Sequence, residues 1–187
     1  MKVFLIRHAS PDWERRDIPY DIHPGPMLTP KGEKEAEALA GFLKLQGLAR
    51  LYHSPFERAA KTAKIVAALN GIPAIEEPRL AEWRAVDEQE SRVRLRMVSV
   101  FQQAARESAD GGPTGLVSHG GPIALLLLEL GMPRDELAKY RILFDTTNPL
   151  PPAGVWLVEQ DPGEERWRFE MVFRPGGCEG SGQRSKV

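Results

Sequence analysis

The stretch VFLIRHASPDW, residues 3–13, opens with four apolar residues and then delivers Arg7 and His8 side by side. Nothing polar alternates within Val3–Ile6, the pattern of a strand covered on both faces. A second run, TGLVSHGG at 114–121, has the same character and ends in His119, two glycines and the almost uniformly apolar PIALLLLEL of 122–130. Two buried strands that each stop at a histidine, one feeding directly into a buried helix, set the frame of an α/β protein with a largely parallel sheet.

The sequence between and beyond these strands fills that frame. Thr29 can cap a helix with Pro30 in its first position, Ala36, Leu39, Ala40 and Leu43 form its apolar stripe, and Gly47 ends it. ARLYHS (49–54) reads as a second strand. In SPFERAAKTAKIVAALNG (54–71), Ser54 and Glu57 have capping-box spacing, Pro55 occupies the first turn, and Asn70-Gly71 supply the stop. PAIEEPRL (73–80) can hold a third strand. From about Ser91 to Glu107, Val93, Met97, Val100, Phe101 and Ala104 share a helical face. AGVWLVEQ (153–160) and RWRFEMVF (166–173) read as a final hairpin around Asp161-Pro162-Gly163.

The chain has 187 residues, 42% of them apolar, enough for one core, so one domain is expected over 1–175. Residues 176–187, rich in Gly, Ser and charge and holding the lone Cys178, read as a disordered tail. One cysteine supports neither an internal disulfide nor a zinc cluster. Lys+Arg 25 against Asp+Glu 26 leaves a net charge of -1 and no field to attract nucleic acid or an anionic membrane. The apolar run at the N-terminus is too short for a signal peptide, and PIALLLLEL is far below the roughly 20 residues of a membrane span. A soluble, cytoplasmic protein is expected.

Ligands of open α/β sheets bind beyond the carboxyl ends of the strands. That edge collects Arg7 and His8 after the first strand, Ser54 and Arg58 after the second, Glu82 after the third, and His119 with Gly120-Gly121 after the fourth. Arg58 is informative because a cation in the first turn of a helix opposes the macrodipole by a few tenths to about 1 kcal/mol, which points to an anionic ligand. His23, in a Pro/Gly loop, and His53 read as structural. Asp12, Asp17 and Asp21 fit no compact metal loop and read as a solvated turn.

LIRHA (5–9), LTPKGEKEA (28–36), SPFERAAKTA (54–63), RLAEW (79–83) and LVSHGGPI (116–123) resemble, in order, the motifs of the histidine phosphatase superfamily, also called the phosphoglycerate mutase-like family. The resemblance runs from Lys2 to about Leu128. It implies a three-layer α/β/α sandwich and a metal-independent, cofactor-free phosphomonoesterase of the histidine acid phosphatase type, acting on a small phosphorylated metabolite. By resemblance His8 is the nucleophile that becomes phosphohistidine. Arg7, Arg58, His119 and the backbone at Gly120 hold the phosphoryl group, and Glu82 is the proton donor. Asp87, Glu88 and Glu90 compete with Glu82 for that last role. A neutral imidazole is required for attack, and the Arg7 cation beside His8 disfavours its protonation. Oligomeric state is left open, a dimer included.

Three departures bear on the substrate. Ala9 stands where the family usually has glycine, and Pro11 and Glu14 stand where mutases typically carry serine and asparagine, so Glu14 is expected to point away from phosphate. The segment from Glu82 to His119 has room for about one helix, a reduced lid that favours hydrolysis over a mutase, which must retain its intermediate. A catalytically silent module of the same fold is the alternative from another class. A serine hydrolase with SHGGP (118–122) as its oxyanion loop is a second alternative, against which stands the lack of a Gly-x-Ser-x-Gly elbow.

Overall fold

In a computed structural model, which describes residues 1–144 and 148–176, six strands form one mixed sheet. They are β1 (Lys2–Arg7), β2 (Arg50–His53), β3 (Ala74–Glu76), β4 (Thr114–Ser118), β5 (Val155–Glu159) and β6 (Arg168–Phe173), in the spatial order β3-β2-β4-β1-β5-β6. The first four run parallel, and β5 and β6 add an antiparallel hairpin beside β1. The mostly parallel α/β architecture read from the sequence is the observed one.

The unbroken apolar run of β1 serves two cores. Val3 and Leu5 enter a cluster with Leu116, Met97, Phe101 and Ile123, while Phe4 and Ile6 enter another with Leu39, Leu43, Leu51 and Val66. Successive side chains of a strand point to opposite faces, so a strand between two helical layers is apolar at every position. Helices α1 (Pro30–Leu45) and α2 (Glu57–Asn70) cover the Phe4 face. The other face is covered by α3 (Glu90–Gly111), α4 (Gly120–Glu129) and α5 (Arg134–Phe144), which sends Leu137 and Tyr140 into the Val3 cluster.

Local differences from the sequence reading have physical causes. Thr29 caps α1 as expected, its hydroxyl accepting the Gly32 N–H. Ser54 does not cap α2, whose N-cap is Phe56; the Ser54 hydroxyl accepts the Phe56 N–H instead and turns toward His119. The segment 73–80 is only briefly a strand, because Pro78 opens a 3-10 turn over Pro78–Leu80. The helix read over 91–107 extends to Gly111, and α5 has no counterpart in that reading. No helix among the described residues is long and apolar enough to cross a membrane. The expected tail, with Cys178, lies almost wholly outside the described residues.

Candidate active site

The parallel block β1–β4 aligns four carboxyl ends along one edge, and the expected residues converge there. His8, Arg58 and His119 are fully buried, and Arg7 nearly so. Burial of two arginines and two histidines in one place demands that each polar atom find a partner or a ligand.

His8 is the centre. Its Nδ1 lies 2.8 Å from the Ala9 carbonyl, to which it can donate only when protonated, leaving the Nε2 lone pair directed into the site. Arg58 Nε donates to that Nε2 at 3.2 Å. Burial, more than any neighbour, keeps the His8 pKa well below its usual 6.5, with His119, Arg58 and Arg7 adding to the effect in that order. The sequence reading credited Arg7; desolvation is the larger cause.

Arg58 spends its whole fork. Besides His8, it donates from Nη1 to the Tyr20 carbonyl at 3.0 Å and from Nη2 to Glu82 Oε2 at 3.0 Å. Gly25 is needed beside it: its φ of 69° is left-handed, and a Cβ there would lie 2.6 Å from Nη1. Arg7 donates from Nη1 to the Leu150 carbonyl at 2.7 Å, while its buried Nε has no hydrogen-bond partner among the described residues.

Glu82 sits within reach of everything else. Its Oε1 accepts the Trp83 N–H at 3.0 Å, and its Oε2 lies 3.2 Å from His119 Nδ1, at ion-pair distance but off the line of a hydrogen bond. Burial alone would raise the Glu82 pKa; His119, Arg58 and the Trp83 N–H overcome it and hold the carboxyl at about 2. Burial lowers His119, with Glu82 opposing. His119 Nε2 is 2.8 Å from the Ser54 hydroxyl, and its ring lies 5.2 Å from that of His8. His119 also precedes α4 as its N-cap, and the helix's first residues, Gly120 and Gly121, whose N–H groups have no intrahelical acceptor, line the cavity.

The competing carboxylates are engaged elsewhere: Asp87 with Arg84, Glu88 with Arg96, Glu90 with Arg94. Glu14 is exposed, as expected, and Asp17 pairs with Arg15. His53 is buried, with Nδ1 2.9 Å from the Ser54 carbonyl, and His23 lies edge-on to Phe56.

Three contributors escaped the sequence reading. Tyr20 stacks on Arg58, whose Cζ is 3.9 Å from the ring centroid, and brings its hydroxyl 3.1 Å from His8 Nε2. Arg96 of α3 clamps the Glu82 segment, donating to the carbonyls of Arg79 at 2.6 Å, Ala81 at 2.9 Å and Glu82 at 3.4 Å while its other edge grips Glu88. Asn148 lies against Gly120, where a Cβ would collide with it. Only the Arg-rich composition of 92–96 hinted at the second of these.

A parallel sheet edge with an apposed histidine pair, two buried arginines and a carboxylate defines a histidine-centred anion site. The chain matches the family model of the histidine phosphatase superfamily (branch 1) over residues 3–90. It is 27% identical over 151 residues to the Serratia proteamaculans protein named "Probable phosphoglycerate mutase GpmB", a match covering 80% of this chain and 67% of that one. It is 33% identical over 85 residues to phosphoserine phosphatase 1 of Hydrogenobacter thermophilus, covering 44% and 38%. Several curated relatives, mutases and a phosphatase by name, are matched over only 38% of their length. Among solved structures, a mycobacterial glucosyl-3-phosphoglycerate phosphatase superposes with a TM-score of 0.70 at 18% identity, over 91% of this chain and 98% of that one. YhfR of Bacillus stearothermophilus gives 0.69 at 22%, over 91% and 95%. These likenesses bear on the fold.

Proposed function

We propose that this chain is a phosphomonoesterase of the histidine acid phosphatase type, acting in the cytoplasm on a small phosphorylated metabolite through a phosphohistidine on His8. The observation that carries this reading is the state of His8: buried, neutral, tied at Nδ1 and offering Nε2 beside the Arg58 fork. In the first step Nε2 attacks phosphorus and the bond from phosphorus to the leaving oxygen breaks. Arg7, Arg58, His119 and the N–H of Gly120 hold the phosphoryl oxygens, and Glu82 gives the leaving alkoxide its proton. In the second, Glu82 takes a proton from water, whose oxygen attacks phosphorus as the P–N bond breaks, releasing inorganic phosphate and neutral His8.

A carboxyl held at about 2 is ionised before substrate arrives, so the proton must enter with the ester. A phosphomonoester is half monoanionic near pH 6, and its negative charge competes with Glu82 for Arg58, raising the carboxyl's affinity for a proton. Glu82 therefore passes on the monoanion's proton.

The name of the Serratia relative favours a second reading, a mutase-type phosphotransferase. Pro11, Glu14 and the single helix between Glu82 and His119 favour hydrolysis. The test is a metabolite panel assayed for inorganic phosphate with wild type and His8→Ala. Wild type should be active, with kcat/KM highest on the mildly acidic side. His8 is lowered, so it stays neutral as pH falls through 6.5, whereas the monoanion is lost above about pH 6. His8→Ala should be inactive. Equal rates in both proteins reject the nucleophile, an isomeric ester without inorganic phosphate supports the mutase, and no turnover of any ester supports the silent module.

A further inference from the structure

The mouth of the site discriminates by shape and charge. A cavity of about 420 Å³ that Arg7, Glu82 and Gly120 line is walled by Trp13, Tyr20 and Trp83. Trp13 and Tyr20 stack at 4.7 Å and 16°, yet Trp13 remains 54% exposed, a large apolar ring with one face spent on Tyr20. Trp83 is fixed in orientation, its Nε1–H donating to the Glu88 carbonyl at 2.9 Å, while its backbone N–H holds Glu82. Aromatic faces held in place at a cavity rim favour flat partners.

The charges at the rim have the opposite sign to those at the floor. Arg7 and the underlying Arg58 are committed to the phosphoryl group. Asp21 lines the cavity beside the floor carboxylate Glu82, and among the described residues no further lysine or arginine does. Arg84, beside Asp21, is paired with it at 3.4 Å and with Asp87, and Arg15 and Arg16 line an adjoining cavity that shares Trp13 and Tyr20. A second anionic group held within this cavity would meet Asp21, and among the described residues no lysine or arginine beyond Arg7 lines the cavity to receive it.

We infer that the substrate is a phosphomonoester of a planar, aromatic or heteroaromatic alcohol that carries no negative charge beyond its phosphoryl group, and that Trp83, Trp13 and Asp21 set this preference. The inference rests on the phosphomonoesterase reading and narrows its substrate class. It sets this chain apart from an enzyme built for a phosphorylated carboxylic acid.

The test compares 2-phenylethyl phosphate with ethyl phosphate, which share a primary alkoxide leaving group, and with 3-phosphoglycerate. Wild type should favour the phenylethyl ester over the ethyl ester at least tenfold in kcat/KM and rank 3-phosphoglycerate last. Trp83→Leu should cut the phenylethyl-to-ethyl ratio at least fivefold whatever the absolute rates, and Asp21→Asn should narrow the discrimination against 3-phosphoglycerate severalfold. Equal rates for the two alkyl esters in wild type, or preference for 3-phosphoglycerate, overturn the inference while leaving the hydrolase standing. If none of the three is hydrolysed, calorimetry with phosphonates decides the surface. Tighter binding of 3-phenylpropylphosphonate than of propylphosphonate by wild type supports it, and equal binding overturns it.

Discussion

The floor of the cavity and the loop over its mouth are built on different principles. The floor hangs on strand ends: Arg7 and His8 follow β1, and His119 follows β4, which pairs with β1 in unbroken register from Val3 opposite Thr114 to Arg7 opposite Ser118. Every floor side chain is buried and held by named partners. The loop 9–28 is anchored at its ends, where the Ala9 N–H donates to Thr62, Ser10 donates to Glu35 and the Pro24 carbonyl accepts the Glu57 N–H, while the hydrogen bonds of its outer part, 13–19, stay within the loop itself. On the proposed reading, rigid mounting goes to the groups that would meet phosphorus, and adaptable surface to those that would meet the rest of the substrate.

Arg58→Met against Trp13→Ala tests this contrast most sharply. Met preserves much of the packing under Tyr20 but removes the fork and leaves Glu82 without its guanidinium. We expect kcat/KM to fall about 10²–10³-fold, as for loss of a main oxyanion donor, and stability to drop by about 3 kcal/mol, as when one member of a buried pair is removed. Trp13→Ala should change stability by no more than about 0.5 kcal/mol, as for an exposed site. Urea unfolding checks both, and similar losses in the two variants would erase the distinction between floor and mouth.

Legibility in the sequence follows the same divide. The floor could be read because strand ends are local events: an unbroken apolar run stops, and the next residues stand at the sheet edge. Arg58 announced itself by violating the helix dipole. The mouth could not be read, because Tyr20 reaches His8 only after the loop folds back over α2, and no periodicity records that path. Ser54 shows how local chemistry misleads: its capping-box spacing was sound, but the helix begins at Glu57 and its hydroxyl faces His119. Arg96 was marked only by the Arg-rich run around it, since apart from Glu88 its partners are backbone carbonyls, which carry no residue identity.

Arg96 also lets the floor itself be divided. It touches none of the groups placed on phosphorus, and it holds Glu82 only through the carbonyls of residues 79, 81 and 82. Arg96→Ala should therefore impair proton donation and spare nucleophilic attack. For ethyl phosphate, whose alkoxide needs a proton to leave, kcat/KM should fall by roughly 10–100-fold, a part of the 10²–10⁴ that a general acid supplies. For 4-nitrophenyl phosphate, whose phenolate departs unassisted, the loss should stay within about threefold. Arg96→Lys, a single point charge in place of the fork, should recover only part of the ethyl phosphate rate. Equal losses on both esters would mean that Arg96 merely supports the fold.

The smallest expected effect lies where mouth and floor touch. The Tyr20 hydroxyl, 3.1 Å from His8 Nε2, stands where a phosphoryl group must come for in-line attack, so an entering phosphate has to displace it. One hydrogen bond contributes a net 0.5–1.5 kcal/mol or so. Tyr20→Phe keeps the ring on Arg58 and against Trp13 but removes that contact, and it should bind inorganic phosphate about 2–10-fold more tightly by calorimetry. Weaker binding would carry a different meaning: the hydroxyl then moves with the ligand and holds a phosphoryl oxygen, and Tyr20 belongs to the floor.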